Sequence, residues 1–368
     1  MPKAVVAGAG IAGLASATAL RRAGWQVAVY EQAAAFAPLG AALSLWPNAM
    51  AALDRLGLAE NVAAAGAPLR AMLLADWRGK PIIPRRAMTE PAIMVTRARL
   101  HETLADALDG VALSFSAPIR SVRQNNAGVT VSFDNGEEVS ADLVIDAGGI
   151  RSPIAAAYTA PGVFRGYGGV LALSDAVDGP ALEGVAAEYW GWGERVGVFE
   201  LPDHRRYWFY MADQTPMSVA PSYEHIATRT KGWPESVTKA IAATPADRLI
   251  SVSIHAKSAP KSLGIGRLIS VGDAAHAMEP NLGQGACQAI EDAAVLGMIA
   301  KHQRPEDILP AMEKSRLKRV GAIVNRAAEG KHGVHGLWIK QAAMRTLMRC
   351  VPASITEGIV RSVQTLPA

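Results

Sequence analysis

The stretch KAVVAGAGIAGLASATALRRAGWQVAVYE, residues 3–31, decides the fold of this 368-residue chain. Its apolar run at 4–7 predicts a buried parallel strand, and its pattern over 12–23 predicts a helix closed by a following glycine. Residues 26–30 predict a second strand. Between the first strand and the helix lies GAGIAG, residues 8–13. This order of strand, glycine turn, helix and strand predicts a dinucleotide-binding unit.

Each glycine of that turn has its own physical reason. Gly8 permits the tight turn, Gly10 lets the backbone approach a pyrophosphate, and Gly13 lets the helix pack closely on the strand. The helix N-terminus offers free N–H groups and the positive end of its dipole to the phosphates. Glu31 ends the second strand, where a carboxylate accepts hydrogen bonds from ribose hydroxyls. The motif does not separate FAD from NAD.

Composition restricts the classes of function. Half of the residues are hydrophobic, 19% are charged and the net charge is +4, so we expect a globular chain of about two domains. No lysine or arginine run is dense enough to predict nucleic-acid binding. Cys287 and Cys350 are the only cysteines, which predicts neither disulfides nor a cysteine zinc site, and we expect no metal. No uninterrupted apolar run reaches 18 residues, so we expect no membrane span and a cytoplasmic protein.

A second glycine-rich turn lies far along the chain. Residues 267–271 predict a buried strand, GDAAHAMEPNLGQGACQAIEDA follows at 272–293, and 285–301 have a helical pattern. Asp273 can accept from a ribityl or ribose hydroxyl. The N–H groups at 283–285 can face the anionic edge of a reduced flavin at a positive helix end. The alternative is that Asp273 caps a turn and the glycines only interrupt a loop.

The two stretches together resemble the class A flavoprotein monooxygenases, the p-hydroxybenzoate hydroxylase-like family. GAALSLWPNAMAALDRLGL at 40–58, VTRARLHETLADAL at 95–108 and DLVIDAGGIRSPI at 142–154 are also similar to segments of that family, in the same order. The resemblance implies an α/β fold: a Rossmann-like FAD-binding domain with a parallel sheet, an antiparallel-sheet substrate domain, and C-terminal helices.

The implied domains are interrupted along the chain. The FAD-binding domain takes 1–70, 95–155 and 260–300, the substrate domain takes 71–94 and 156–259, and 301–368 form helices packed on the FAD domain.

Carried over position by position, the resemblance implies FAD contacts in the glycine turn, at the ribose, near the adenosine and along the flavin edge. The residues are Gly8, Gly10, Ile11, Ala12, Gly13, Glu31, Gln32, Ser44, Arg97, Val122, Asp273, Pro280, Gly283, Gln284, Gly285, Ala286 and Cys287. For Arg97, which stands close to Arg99, the alternative is a surface arginine. For His276 we expect packing beside the cofactor loop rather than a role as a base.

The nicotinamide co-substrate has no domain of its own. No second strand–glycine–helix unit follows, and the resemblance implies that NAD(P)H binds only transiently. The family normally has Asp-Gly in the loop after the central strand, whereas this chain has Gly148-Gly149. Because that aspartate helps to hold the loop serving FAD and NAD(P)H, its absence predicts less efficient use of NAD(P)H.

The segment GERVGVFELPDHRRYWFYMAD at 193–213 resembles a hairpin of the FAD-dependent urate hydroxylases. Arg195 and Tyr207 fall where an arginine and a tyrosine engage the substrate in that subgroup. Arg195 can pair with an anionic heterocycle, and Tyr207 can donate to a ring oxygen or help to remove a proton. If the hairpin turns through three residues, 202–204, both side chains share one face. The alternative is a solvated Arg195 and a core Tyr207.

The implied reaction is hydroxylation of a small aromatic or heteroaromatic ring, urate-, hydroxypyridine- or hydroxybenzoate-like. In this family NAD(P)H reduces FAD, and O2 forms a C4a-hydroperoxide that transfers oxygen to the ring. Two alternatives remain open, a flavoprotein oxidase or reductase on the same fold and a flavin-binding protein without efficient NAD(P)H turnover. The sequence carries no signal for an oligomeric state.

Overall fold

A computed structural model describes residues 1–36, 41–125, 128–178, 182–216, 218–350, 358 and 361–366. These residues form seventeen strands and ten α-helices, each series numbered in chain order. The strands are β1 Lys3–Ala7, β2 Gln26–Tyr30, β3 Ala42–Leu45, β4 Ala67–Asp76, β5 Pro81–Thr96, β6 Ala112–Ser114, β7 Ile119–Asn125, β8 Gly128–Phe133, β9 Glu138–Ala141, β10 Leu143–Asp146, β11 Val163–Ala176, β12 Val185–Trp190, β13 Glu194–Glu200, β14 Arg205–Asp213, β15 Ile250–Ala256, β16 Gly264–Ile265 and β17 Leu268–Ser270. The helices are α1 Ile11–Arg22, α2 Pro47–Arg55, α3 Ala59–Ala64, α4 Arg97–Asp106, α5 Tyr223–Arg229, α6 Glu235–Ala242, α7 Asp273–His276, α8 Gly285–Ala300, α9 Pro305–Gly330 and α10 Trp338–Cys350.

The predicted strand–helix–strand unit is the centre of a six-stranded sheet with the order β16-β17-β10-β1-β2-β6. All neighbours are parallel except β16, which pairs antiparallel with β17. Val5 and Val144 face each other across β1 and β10 and are fully buried. Strands buried on both faces explain the unbroken apolar runs in the sequence. The predicted Rossmann-like parallel sheet is therefore confirmed.

A second sheet has eight strands in the order β15-β11-β14-β13-β12-β4-β5-β3. Its pairs are antiparallel, as predicted, except that β4 and β12 run parallel. Trp208 and Tyr210 pack from one face into a cluster with helices α5 and α6. From the other face, Tyr207 joins the core of the parallel-sheet unit and Leu173 packs against it. The face of the second sheet that carries Tyr207 therefore packs against the parallel-sheet unit.

Two of the domain boundaries expected from the sequence fall inside this sheet. Position 70 lies within β4 and position 95 within β5, and β3 pairs with the end of β5 at Ser44 and Met94. The strand that carries Ser44 is thus an edge of the large sheet and lies next to the FAD-binding unit.

The C-terminal helices divide their contacts between the two units. Helix α9 packs on α8, whereas α10 contacts β5. The turn before α10 contacts the end of the β13–β14 hairpin, where the Gly193 N–H donates to Val334 O at 2.9 Å and His335 Nδ1 lies 2.8 Å from Asp213 Oδ1. We expected 301–368 to pack on the FAD domain, but α10 and the turn before it contact the second sheet instead. Within the described residues, no helix is both long and apolar enough to span a membrane.

Candidate active site

The glycine turn between β1 and α1 has the geometry that the motif predicts. Gly8 has a φ of +104°, and a Cβ there would lie 2.7 Å from Ala147 O. A Cβ on Gly13 would lie 1.9 Å from Gly8 O, so the backbone of the helix packs directly on the backbone of the turn. A Cβ on Gly10 would meet nothing within 4 Å, and its φ of −75° suits any residue. The protein's own packing therefore requires the first and third glycines but gives no reason for the second.

Glu31 lies beside the same turn. Its carboxylate accepts from the Ala9 N–H at 2.7 Å and from the Ala33 N–H at 2.9 Å. A negative charge is thus held at the end of β2, next to the N-terminus of α1. Gln32 follows it on the surface, and Ile11 and Ala12 form the first turn of the helix.

The second glycine-rich turn meets the first. Gly272 has a φ of +56°, and a Cβ there would lie 2.9 Å from the Cβ of Ala12 and 3.1 Å from that of Ala289. The start of α1 and the middle of α8 are therefore in contact around this residue. Asp273 begins α7, and its side chain is exposed.

The predicted flavin-edge residues lie together. Gly283 has a φ of +61°, and its Cβ would lie 2.7 Å from Trp46 Nε1 and 3.2 Å from Ser44 Oγ. Cys287 Sγ lies 3.6 Å from the carbonyl oxygens of Ser44 and Gly283. Burial raises the pKa of the Cys287 thiol to about 12, so it packs as an uncharged group. A Cβ on Gly285, the first residue of α8, would meet nothing within 4 Å.

A buried polar network, which the sequence did not predict, supports this turn. Gln284, at the start of α8, accepts from Asn48 Nδ2 and from Gln288 Nε2, both at 2.9 Å. Glu291 also accepts from Asn48, at 2.6 Å, and pairs with Arg316. These contacts tie α2, α8 and α9 together next to the turn at 280–285, which we call the flavin-edge turn because the predicted flavin-edge residues lie in it.

His276 has the packing role that was expected. It is buried, and its Nε2 lies 2.6 Å from Asp292 Oδ2. Asp292 also accepts from the Gly272 N–H at 3.0 Å and from Arg316 Nε at 2.8 Å. Burial would raise the pKa of Asp292, but His276 and Arg316 hold it down at about 2. His276 therefore anchors the turn from below.

The remaining FAD candidates lie apart from one another. Arg99 forms a surface ion pair with Glu102 at 3.0 Å, whereas Arg97 stands close enough to Tyr207 to influence its pKa. Val122 lies in the three-stranded sheet β7-β8-β9 and packs against the cluster under that sheet. Pro280 begins a short 3-10 turn, and Ala286 is half-buried in the first turn of α8.

The loop after β10 shows how the chain accommodates Gly148. The buried carboxylate of Asp146 accepts from the Gly148 N–H at 3.0 Å and from the hydroxyls of Ser152 and Ser270, each at 2.8 Å. A Cβ on Gly148 would lie 3.1 Å from Asp146 Oδ1. The carboxylate of Asp146, two positions before Gly148, thus organises this loop. In the sequence it could have been noticed as a single acidic residue at the end of the apolar run LVID.

The β13–β14 hairpin has the three-residue turn on which the sequence argument depended. Arg195 pairs with Met211 and Phe199 with Tyr207, and the turn at 202–204 contains His204 with a φ of +60°. Arg195 and Tyr207 therefore share a face, with the Phe209 ring 5.5 Å from the Arg195 guanidinium carbon and 6.4 Å from the Tyr207 ring. Both side chains are buried.

Tyr207 is an uncharged phenol in this environment. Burial raises its pKa above the usual value, although the positive charges of Arg97 and Arg195 act in the opposite direction. The hydroxyl can therefore donate a hydrogen bond at neutral pH.

Arg195 connects the β13–β14 hairpin to the turn that begins at Pro280. Its Nη2 donates to Asn281 Oδ1 at 2.7 Å, and Asn281 follows Pro280 in that turn. Its Nη1 donates to Glu188 Oε1 at 3.0 Å. Asn281 and Glu188 were not predicted from the sequence. The only signal for Glu188 was a single acid in the buried run VAAEYW.

The described residues offer a consistent place for a flavin dinucleotide. Gly10 before α1 and Gly285 at the start of α8 are each glycines whose Cβ would enter open space, and Gly272 lies between the first turn of α1 and Ala289 of α8. No three His, Cys, Asp or Glu side chains among the described residues could hold a metal ion.

Comparison with known proteins identifies the family. The family described as FAD binding domain matches residues 2–327. The chain is 34% identical over 304 residues to an aurachin C monooxygenase/isomerase of Stigmatella aurantiaca, with 79% of each protein covered. It is 31% identical over 355 residues to an FAD-dependent urate hydroxylase of Klebsiella pneumoniae, with 91% of each covered.

A solved structure agrees over nearly the whole chain. Klebsiella pneumoniae HpxO complexed with FAD and uric acid aligns with a TM-score of 0.89 and 28% identity, covering 98% of this chain and 96% of that one. Since the family match extends over most of the chain, the chain belongs to the FAD-binding-domain family, is an FAD-dependent monooxygenase of the aromatic-hydroxylase class, and has FAD as its cofactor.

Proposed function

We propose that this enzyme hydroxylates a small aromatic or heteroaromatic ring held between the β13–β14 hairpin and the flavin-edge turn, using O2 and NAD(P)H. The observation that carries the proposal is the hydrogen bond from Arg195 Nη2 to Asn281 Oδ1 at 2.7 Å. It joins the sheet that would hold the ring to the turn that would border the flavin. Bound FAD would supply the redox chemistry, taking reducing equivalents from NAD(P)H and delivering one oxygen atom of O2 to the ring.

The residues expected to hold FAD fit a dinucleotide. The N–H groups at the start of α1 would receive the pyrophosphate beside the open position at Gly10. Glu31 and Asp273 would accept from hydroxyl groups of the ribose and the ribityl chain. The N-terminus of α8 at Gly285 would stabilise negative charge on the flavin edge. Ser44, Arg97 and Val122 complete the proposed set.

The protein's own part is to orient the ring and exclude water. The Phe199 and Phe209 rings give the hairpin an apolar surface beside Tyr207. The neutral Tyr207 hydroxyl would donate to a ring oxygen and help to fix the ring's orientation. Exclusion of water matters because it prevents wasteful release of peroxide.

The proposal is tested with the FAD-loaded enzyme. Anaerobic flavin reduction by NADH and by NADPH is followed with and without a panel of rings that includes urate, hydroxypyridines and hydroxybenzoates. We expect one ring class to accelerate reduction and its product to carry one atom from 18O2. A product without label would overturn oxygen insertion and favour an oxidase or reductase.

Tyr207→Phe tests the residue assignment. We expect unchanged FAD affinity and a fall in kcat/KM of about tenfold or more, because the ring loses one hydrogen bond that fixes its orientation. Unchanged kcat/KM would return Tyr207 to a purely packing role.

A further inference from the structure

Both terminal nitrogens of the Arg195 guanidinium are already engaged inside the protein, whereas its Nε is buried without a partner among the described residues. The side chain is 4% exposed, Nη1 binds Glu188 and Nη2 binds Asn281. Fork-shaped recognition of an anion needs two parallel N–H groups that are free to point at it. An anionic ring that approached through both Nη groups would have to displace the Glu188 carboxylate and leave it as an unpaired charge, and the unpartnered Nε offers only one further N–H.

The charged groups around Arg195 and Glu188 also balance one another. The Tyr167 hydroxyl donates its one hydrogen to Glu279 Oε2 at 3.0 Å, and its oxygen lies 3.2 Å from Asn281 Oδ1. Glu279 in turn pairs with Arg165 at 2.7 Å. Two guanidiniums thus face two carboxylates, and the network has no net charge to attract an anion.

Of the other charged groups near this network, Asp213 beside His335 and Arg345, whose guanidinium carbon lies 5.9 Å from the Trp190 ring, carry opposite charges. His335 stacks on Tyr167 with ring centroids 4.2 Å apart, and burial together with Arg195 lowers its pKa, so it is neutral at pH 7. Its partner Asp213 lies at the solvent side of the hairpin. Arg97 is exposed at the start of α4, and its positive charge acts to lower the pKa of Tyr207.

Glu188 itself offers an acceptor. Its Oε1 receives both Arg195 Nη1 and Trp190 Nε1, the latter at 2.6 Å. Among the hydrogen bonds of the described residues, none goes to its Oε2, and the side chain is 25% exposed. Strand pairing places Glu188 opposite Gly197, on the same face of the sheet as Arg195 and Phe209.

We propose that Glu188 determines specificity: by neutralising Arg195 and presenting Oε2, it selects an uncharged ring that carries an N–H or O–H donor and disfavours anionic rings. This inference rests on the proposed function, since it names the substrate class of the same site. The ring would stack against the apolar surface of Phe199 and Phe209 and donate to Glu188. A carboxylate or urate-like anion would meet the negative charge of Glu188 instead.

The test compares two ligands of nearly the same shape, one an uncharged ring with N–H and O–H donors and the other an anion. 4-Hydroxybenzamide and 4-hydroxybenzoate are titrated into the FAD-loaded enzyme at pH 7, and the change in flavin absorbance gives each Kd. We expect the amide to bind about tenfold or more tightly than the acid. In Glu188→Gln, which retains the shape but leaves Arg195 uncompensated, we expect this ratio to fall by about tenfold or more.

Glu183→Gln is the matched control. Glu183 is exposed just before β12, so its substitution removes the same charge without touching Arg195, and the Kd ratio should not change. Tighter binding of the acid by the unaltered enzyme would overturn the inference. So would an equal change in both Kd values in Glu188→Gln, because that pattern reports a structural role.

Failure of the inference and failure of the proposed function are distinguishable. The Kd ratio is measured without turnover, whereas the proposed function is tested by label from 18O2 in the product. If neither ligand perturbs the flavin, the kcat/KM of whichever ring is turned over is compared between unaltered enzyme and Glu188→Gln. An unchanged value for that ring would also overturn the role of Glu188.

Discussion

Gly10 and Gly13 stand three residues apart in one motif, yet the structure gives them different reasons to be glycine. Gly10 has ordinary dihedral angles, and a Cβ there would enter open space. A Cβ on Gly13 would lie 1.9 Å from the backbone oxygen of Gly8. We therefore predict that Gly10→Ala impairs FAD binding without unfolding the FAD-free protein, whereas Gly13→Ala destabilises the protein itself.

The magnitudes follow from the local geometry. For Gly10→Ala, the lower entropy of the unfolded chain stabilises by about 0.4–1 kcal/mol, and alanine as a helix N-cap costs a similar amount. The free energy of unfolding should thus change by less than about 1 kcal/mol. For Gly13→Ala, overpacking of about 3 kcal/mol or more outweighs a gain of about 1 kcal/mol in helix propensity.

Gly10→Ala should weaken FAD binding directly, whereas Gly13→Ala should weaken it only indirectly. A methyl group on Gly10 would hold the pyrophosphate away from at least one N–H donor of the turn. One charge-assisted hydrogen bond is worth about 1.5–3 kcal/mol, which corresponds to a loss of about ten- to a hundredfold in Kd. Gly13→Ala would weaken FAD binding only through its effect on the fold.

The assay uses FAD-free protein for stability and a flavin-fluorescence titration for affinity. Urea unfolding followed by tryptophan fluorescence gives the free energy for the unaltered protein and both variants. The reasoning is refuted if Gly10→Ala binds FAD as tightly as the unaltered protein, or if Gly13→Ala unfolds at the same urea concentration.

Three further predictions concern buried charges. Arg316→Met removes the cation that Glu291 and Asp292 share, while Arg319 still pairs with Glu291 and His276 still lies beside Asp292, so it should lower the free energy of unfolding by about 3 kcal/mol in urea titrations, whereas the exposed Lys318→Met on the same helix should change it by less than about 0.5 kcal/mol. The folded-state pKa of Asp292 lies at about 2, below its unfolded value, so the ionised carboxylate stabilises the fold above pH ~4 and loses this contribution as the pH falls towards 2. Asp292→Asn should therefore make the free energy of unfolding less dependent on pH between about 4 and 2. An unchanged pH dependence would contradict the assignment. Gly148→Asp would place a second carboxylate against Asp146, with a Cβ only 3.1 Å from Oδ1, and should destabilise by about 1–3 kcal/mol, while Gly148→Asp combined with Asp146→Gly should recover most of the loss in thermal unfolding.

Local rules explain what could be predicted about the FAD side of the molecule. Gly8 is required by its own positive φ and Gly13 by a contact with a residue five positions earlier, and the apolar runs of β1 and β2 follow from burial on both faces. A prediction about the hairpin was also possible, because a three-residue turn fixes the face that Arg195 and Tyr207 share.

The supporting contacts could not be predicted, because their partners come from distant parts of the chain. Asn48 reaches Gln284 and Glu291 across more than two hundred residues, and Arg316 joins them from another helix. Each of these side chains is an ordinary polar residue in its own segment. Only packing decides that the segments meet and that the polar groups satisfy one another when buried.

The sequence by itself thus determined the FAD-binding unit, its glycine turns and the face of the hairpin that carries Arg195, since these depend on backbone geometry and on alternation along single segments. The tertiary structure decided how Arg195 is used. Its guanidinium is held between Glu188 on a neighbouring strand and Asn281 in the flavin-edge turn, and that contact exists only after the two sheets have come together. The physical reason is that a buried charge takes its character from its partners, and no periodicity in a sequence encodes a partner that lies in another element.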